Sequence, residues 1–152
     1  MGNLSVVANA TLAVLDRIAP WGFIRPDKEA KAFVDATAPV SVKMASSEVP
    51  ISTLSGGNQQ KVIIGRWLVR NPKLLILDEP NKGIDVGAKA EISEIVVRLA
   101  GEGTAVLLVN SEMPEVLALS DRVLVMRSGW ITGELARTSI SPEAIINLAT
   151  TG

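Results

Sequence analysis

Leu54-Ser55-Gly56-Gly57-Asn58-Gln59-Gln60 is the stretch whose reading decides the fold of this chain. Small residues let a backbone approach an anion, and a helix starting here aims its free N–H groups and positive dipole end at it. Further on, Leu74-Leu75-Ile76-Leu77-Asp78-Glu79-Pro80 reads as an apolar strand ending in two adjacent carboxylates. In α/β proteins ligands bind at that end of a strand, and paired carboxylates there manage a magnesium ion and an attacking water. Alone, Ser-Gly-Gly is ordinarily a helix-capping turn and Asp-Glu a solvated strand end. In this order and combination they point to a phosphate site.

The surrounding pattern alternates helix and strand. Gln59 to Arg70 reads as a helix, Lys73–Asp78 as a buried strand, and Val86 to Ala100 as an amphipathic helix. The last turns Ile92, Ile95, Val96 and Leu99 inward and Lys89, Glu94 and Arg98 outward. Thr104–Val109 reads as the next buried strand and Pro114 to Leu119 as a short helix. Asp121–Met126 and Ile131–Leu135 read as a hairpin around Ser128-Gly129, and Ser141 caps a final helix with Pro142 in its first turn. Continuous apolar strands separated by helices predict a mostly parallel sheet covered on both faces.

Residues 4–50 read differently. Leu4, Val7, Ala8, Thr11, Leu12, Leu15 and Ile18 fall on one helical face, and Pro20-Trp21-Gly22 ends that pattern. Asp27 to Ala36 forms a second short helix after Pro26, and Pro39 to Pro50 is loop. Trp21, Trp67 and Trp130 share no spacing that suggests stacking on a ligand, and Trp67 reads as core.

With 15 basic and 16 acidic residues the net charge is −1, so no nucleic-acid partner is expected. Neither cysteine nor histidine occurs, which excludes disulfides, thiolate metal sites and imidazole bases. No apolar run has the roughly 18 residues a membrane span requires. Yet 47% of the chain is hydrophobic, and the excess is read as surface facing other segments or partners.

LSGGNQQKV, ILDEP and Lys82-Gly83-Ile84-Asp85-Val86-Gly87-Ala88-Lys89 resemble the ATP-binding-cassette (ABC) transporter ATPases. More narrowly, they resemble the second, C-terminal cassette of the double-cassette proteins that drive ribose-, galactose- and xylose-type importers. The phosphate-wrapping motif G-x-x-x-x-G-K-[ST] does not occur in the chain. The expected fold is therefore a partial α/β ATPase core. Residues 1–57 would be a remnant helical subdomain ending in the signature motif, and residues 58–152 the C-terminal part of the core.

The resemblance implies roles. Ser55, Gly56 and Gly57, with Gln59 beside them, would bind the γ-phosphate of ATP held by the opposite cassette. Asp78 would hold magnesium and Glu79 would orient or deprotonate the attacking water. Asn81 stands where the family carries threonine, a small polar change expected to adjust a loop. Asp85 is suited to capping the Val86 helix and, by resemblance, lies in the loop that couples the two sites; both readings stand together. Ser111 occupies the position where most cassettes carry a histidine, as in the sugar-importer subgroup. Its hydroxyl would either donate to phosphate or merely cap the next helix.

The implied protein is an ATP-hydrolysing subunit fragment of a carbohydrate importer, with ATP and Mg2+ as ligands. Its implied partners are a phosphate-loop-bearing second cassette and membrane-spanning permease subunits. It would lie in the cytoplasm, peripheral to the inner face of the membrane. Without a phosphate loop it is expected to be inactive alone. Two other readings stay open: a non-catalytic module completing a composite site, or an inactive relic.

Overall fold

The computed structural model describes residues 2–151, which form two compact units divided between Leu107 and Leu108. The first unit contains helices α1 (Val6–Thr11), α2 (Leu15–Ile18), α3 (Pro26–Thr37) and α4 (Gly56–Leu68), then strand β1 (Leu74–Asp78) and helix α5 (Val86–Gly101). Strand β2 (Ala105–Val109) begins in this unit and pairs with β1, where the Ala105 N–H donates to the Lys73 carbonyl at 3.0 Å. The connection through α5 is long enough for the crossover that parallel neighbours need.

Close helix approach builds the core. Val6, Ala10, Val14 and Ile18, spaced by four, are buried. They share the interior with Ala32 and Ala36 of α3 and Val62 of α4. A Cβ on Gly65 would lie 2.1 Å from the Ala36 carbonyl oxygen, so α3 and α4 touch at a point that admits no side chain. The face expected for the first helix is corrected in part: Thr11 and Ile18 are buried, but Leu4 and Leu15 are exposed and Val6, Ala10 and Val14 take the interior. The helix also tightens to a 3-10 turn over Leu12–Val14, which rotates the residues beyond it.

Basic side chains in and just after α4 tie this layer together. The Arg66 guanidinium donates to the Asn9 carbonyl at 2.6 Å and to Asn9 Oδ1 at 2.9 Å. The Asn9 amide in turn donates to the Leu4 and Ser5 carbonyls. Arg70 donates to the Ala13 carbonyl at 2.6 Å and pairs with Asp16. Trp67 lies on the outer side of α4 and is exposed, contrary to its reading as core. The inner side of α4 carries Gly57, Lys61 and Gly65, where an indole has no room.

The strand–helix–strand part is covered on one face only. Leu75 and Leu77 are buried, as are Ile92, Ile95, Val96 and Leu99 of α5. On the other face Leu74 is 53%, Ile76 61% and Leu107 47% exposed. Thus the expected covering of both faces does not hold, since no helix of this unit lies over the second face.

In the second unit, α6 (Met113–Leu119) precedes the antiparallel strands β3 (Arg122–Arg127) and β4 (Trp130–Ala136), and α7 (Pro142–Thr151) closes the chain. Ser128 and Gly129, both at positive φ, form the two-residue turn anticipated for the hairpin. A Cβ on Gly133 would lie 2.6 Å from both Leu148 methyl carbons, so glycine lets α7 pack on the hairpin. Arg137 caps α6 by donating to the Leu117 and Ser120 carbonyls at 3.0 and 2.7 Å. Among the described residues no helix is long and apolar enough to cross a membrane.

Candidate functional site

Helix α4 starts at Gly56, three residues earlier than expected, so the signature residues form its first turn. Three other helices cap themselves. Ser5, Asp85 and Ser141 side chains accept from Ala8, Ala88 and Ala144 N–H groups at 3.3, 2.9 and 3.1 Å. The Ser55 side chain makes no such bond to α4. Instead its Oγ accepts from Asn58 Nδ2 at 3.0 Å; Ser55 and Gly56 are exposed at the helix start, while Gly57 is buried and Asn58 half-buried. An exposed helix start with a serine hydroxyl beside it offers donors in the arrangement an anion requires.

The glycines serve packing as well as approach. A Cβ on Gly57 would lie 2.3 Å from the Ala88 Cβ, and one on Gly56 would lie 3.3 Å from Ile84 Cγ2. The start of α4 therefore presses on the loop and first turn of α5. Asp85 caps that turn, as its residue type predicts, with Ala88 N–H donating to Oδ1 at 2.9 Å. The structure thus brings Ser55, Gly56 and Gly57 beside the Gly83–Asp85 loop. The Gln59 amide donates to the Leu54 carbonyl at 2.8 Å, steadying the chain just before the signature.

Asp78 ends β1 and is exposed, and Glu79 follows in the left-handed region at φ 46°. For a residue other than glycine that conformation costs about 1–2 kcal/mol, a strain that marks this strand end as constrained. Pro80 and Asn81 are buried, so Asn81 belongs to the packing beneath the loop. Among the described residues no hydrogen bond or ion pair joins Asp78 or Glu79 to residues 55–59, and the two halves of the motif stay chemically separate. No cluster of three or more carboxylates that could hold a metal occurs among them either. Asp78, exposed at the strand end with Glu79 beside it, offers the one or two carboxylates that magnesium takes while completing its shell with phosphate and water.

Ser111 lies in the second unit, so its surroundings are its own. It is exposed, and it is not the residue that serves α6. Asn110 Oδ1 accepts from the Glu112 N–H at 2.7 Å, and the cap position is Glu112.

Lys61, Glu91 and Lys43 were not anticipated. Lys61 is buried, at 3% exposure, in the α4 stripe with Gly57 and Gly65. Its ammonium pairs with Glu91 of α5 and reaches the Ser41 carbonyl at 3.4 Å. Lys43 adds a second pairing to Glu91 at 3.5 Å. The Lys61 hydrogen bond and charge, with a further contribution from Lys43, hold the Glu91 carboxyl below its usual range. Burial lowers the pKa of the Arg66 guanidinium. The spacing of Gly57, Lys61 and Gly65 by four was the signal that Lys61 faces inward.

The fold defined by these elements is that of an ATP-binding cassette. A nucleotide-free cassette from an ABC transporter superposes with a TM-score of 0.80 at 22% identity, covering 97% of this chain and 63% of that one. A dimeric cassette in a post-hydrolysis state bound to ADP and phosphate gives 0.75 at 19% identity, covering 90% of this chain and 58% of that one. The family model described as ABC transporter matches residues 3–82, and the chain belongs to that family. It is 45% identical over 150 residues to the xylose import ATP-binding protein of Geobacillus kaustophilus, covering 99% of this chain and 30% of that protein. It is 49% identical over 146 residues to a putative ribose/galactose/methyl galactoside import ATP-binding protein of Pseudomonas fluorescens, covering 96% and 28%. The chain thus spans under a third of the length of the curated relatives it matches.

Proposed function

We propose that the chain supplies parts of two nucleotide sites in the ATPase of a carbohydrate importer. Ser55, Gly56 and Gly57 bind the γ-phosphate of ATP held on a phosphate-loop-bearing partner cassette, with Gln59 supporting the turn. Asp78 holds magnesium and Glu79 orients water for nucleotide on this chain's own side. Magnesium supplies charge neutralisation of the phosphate oxygens. Asp85 couples the sites through the loop that Gly56 touches, and the Ser111 hydroxyl donates to phosphate. Residues 1–57 are the helical part facing the permease subunits, and residues 58–152 the ATPase part. The working location is the cytoplasmic face of the membrane.

The observation that carries this reading is the start of α4. Its serine leaves the helix uncapped, and Gly56, exposed at the helix start, lies against the Gly83–Asp85 loop while Gly57 packs on Ala88 of α5. Preorganised donors of this kind stabilise charge that develops on phosphate, and removing one costs about 100-fold in rate. The test is magnesium-ATP turnover by a phosphate-loop-bearing sugar-importer cassette, with and without the chain. Stimulation that falls about 100-fold in Ser55→Ala is expected. Equal stimulation by wild type and Ser55→Ala would overturn the assignment.

A further inference from the structure

We infer that Asn58 is a positioning residue that turns the Ser55 hydroxyl into a dedicated hydrogen-bond donor. The inference rests on the reading of Ser55 as a phosphate ligand and goes beyond it by naming what sets that ligand's polarity. Asn58 Oδ1 accepts from the Lys43 backbone N–H at 2.7 Å. That bond fixes the orientation of the amide, because only the oxygen can accept from an N–H. The Nδ2 group is thereby directed to Ser55, where it donates to Oγ at 3.0 Å. A hydroxyl that accepts from an N–H cannot direct its own proton at that donor. Among the described residues the Ser55 hydroxyl donates to no other group, so its proton is free for a ligand. It points away from Asn58 and is presented to an anion oxygen.

The bond chain continues inward. Lys43, whose N–H sets the amide, also pairs through its side chain with Glu91, and Glu91 with buried Lys61. Orientation of one hydroxyl is therefore anchored in the contact between α4 and α5. An isosteric carboxylate at position 58 would still accept from Lys43. It would also accept from Ser55, drawing the proton away from phosphate.

A double-mutant cycle in the mixed turnover assay tests this, using magnesium-ATP and the same phosphate-loop-bearing cassette. The Nδ2 bond leaves the hydroxyl proton two of its three staggered wells, so its loss lowers the correctly oriented fraction about 1.5-fold. Asn58→Ala should therefore reduce stimulation by about 1.5-fold in the wild-type background and have no effect in the Ser55→Ala background. Asn58→Asp should reduce it more than Asn58→Ala while keeping the melting temperature of the wild type. A structural role would instead give the same Asn58→Ala loss in both backgrounds, and that result would overturn the inference. Asn58→Asp acting like wild type would overturn it too. If Ser55→Ala itself costs nothing, the phosphate reading fails and the positioning role falls with it.

Discussion

Gly57 meets two requirements at one position. In the proposed function its backbone faces an anion, and in the structure its Cα approaches Ala88 more closely than any side chain allows. Gly57→Ala is expected to destabilise the fold by about 1–3 kcal/mol, the usual cost of overpacking. Ala88→Gly in the same chain should recover most of that loss, which thermal or urea unfolding of the three variants would measure. If the double variant were no more stable than Gly57→Ala, the close contact would not be the cause. The sequence alone suggested an anion site, because Ser-Gly-Gly before a helix is a local pattern. It could not disclose the Ala88 contact or the Lys43–Asn58–Ser55 bonds, since each depends on a residue brought in from a different loop or helix. Ser55 itself was legible as a phosphate ligand candidate, but its failure to cap was not.

Among the elements, α4 is held to α5 by an ion pair that its hydrophobic pattern conceals. The Glu91 carboxyl titrates below its ordinary value of 4.5 because the Lys61 hydrogen bond and charge stabilise its ionised form. Its contribution to stability is therefore complete above the unfolded-state value and fades as pH falls through the lower folded-state value. Melting temperatures of wild type and Glu91→Gln, followed from neutral to acid pH, should differ most near neutrality. The gap should shrink below the ordinary carboxylate range, and a constant gap would exclude this linkage. Elements with strong local signals were read closely: α5 with its inward residues, α3 with Pro26 at its start, and the Ser128-Gly129 hairpin. The face of the first helix was not, because small Ala10 and bulky Leu15 compete in the same periodic pattern. The 3-10 turn over Leu12–Val14, which rotates the residues beyond it, is not legible in that pattern.

At the scale of the whole molecule, the uncovered face of β1 and β2 is the feature the alternating pattern could not settle. Apolar strands predict burial, but whether a covering element exists depends on the rest of the fold. With Leu74, Ile76 and Leu107 about half exposed, the 16.1 kDa chain is expected to self-associate as concentration rises. Sedimentation should show that association, and Ile76→Lys should weaken it; equal association in the variant would assign it to another surface. In the proposed function the chemistry is divided in the same way: Ser55–Gly57 would serve a partner's nucleotide, and Asp78 and Glu79 would serve a nucleotide held by a phosphate loop, a motif that does not occur in this sequence. The most direct measurement is calorimetry of magnesium-ATP with the chain alone, then with a phosphate-loop-bearing cassette added. Silence alone, followed by tighter nucleotide binding in the mixture than by the added cassette itself, is the predicted result. ATP binding and hydrolysis by the chain alone would contradict it, because nucleotide would then be anchored without the partner's loop.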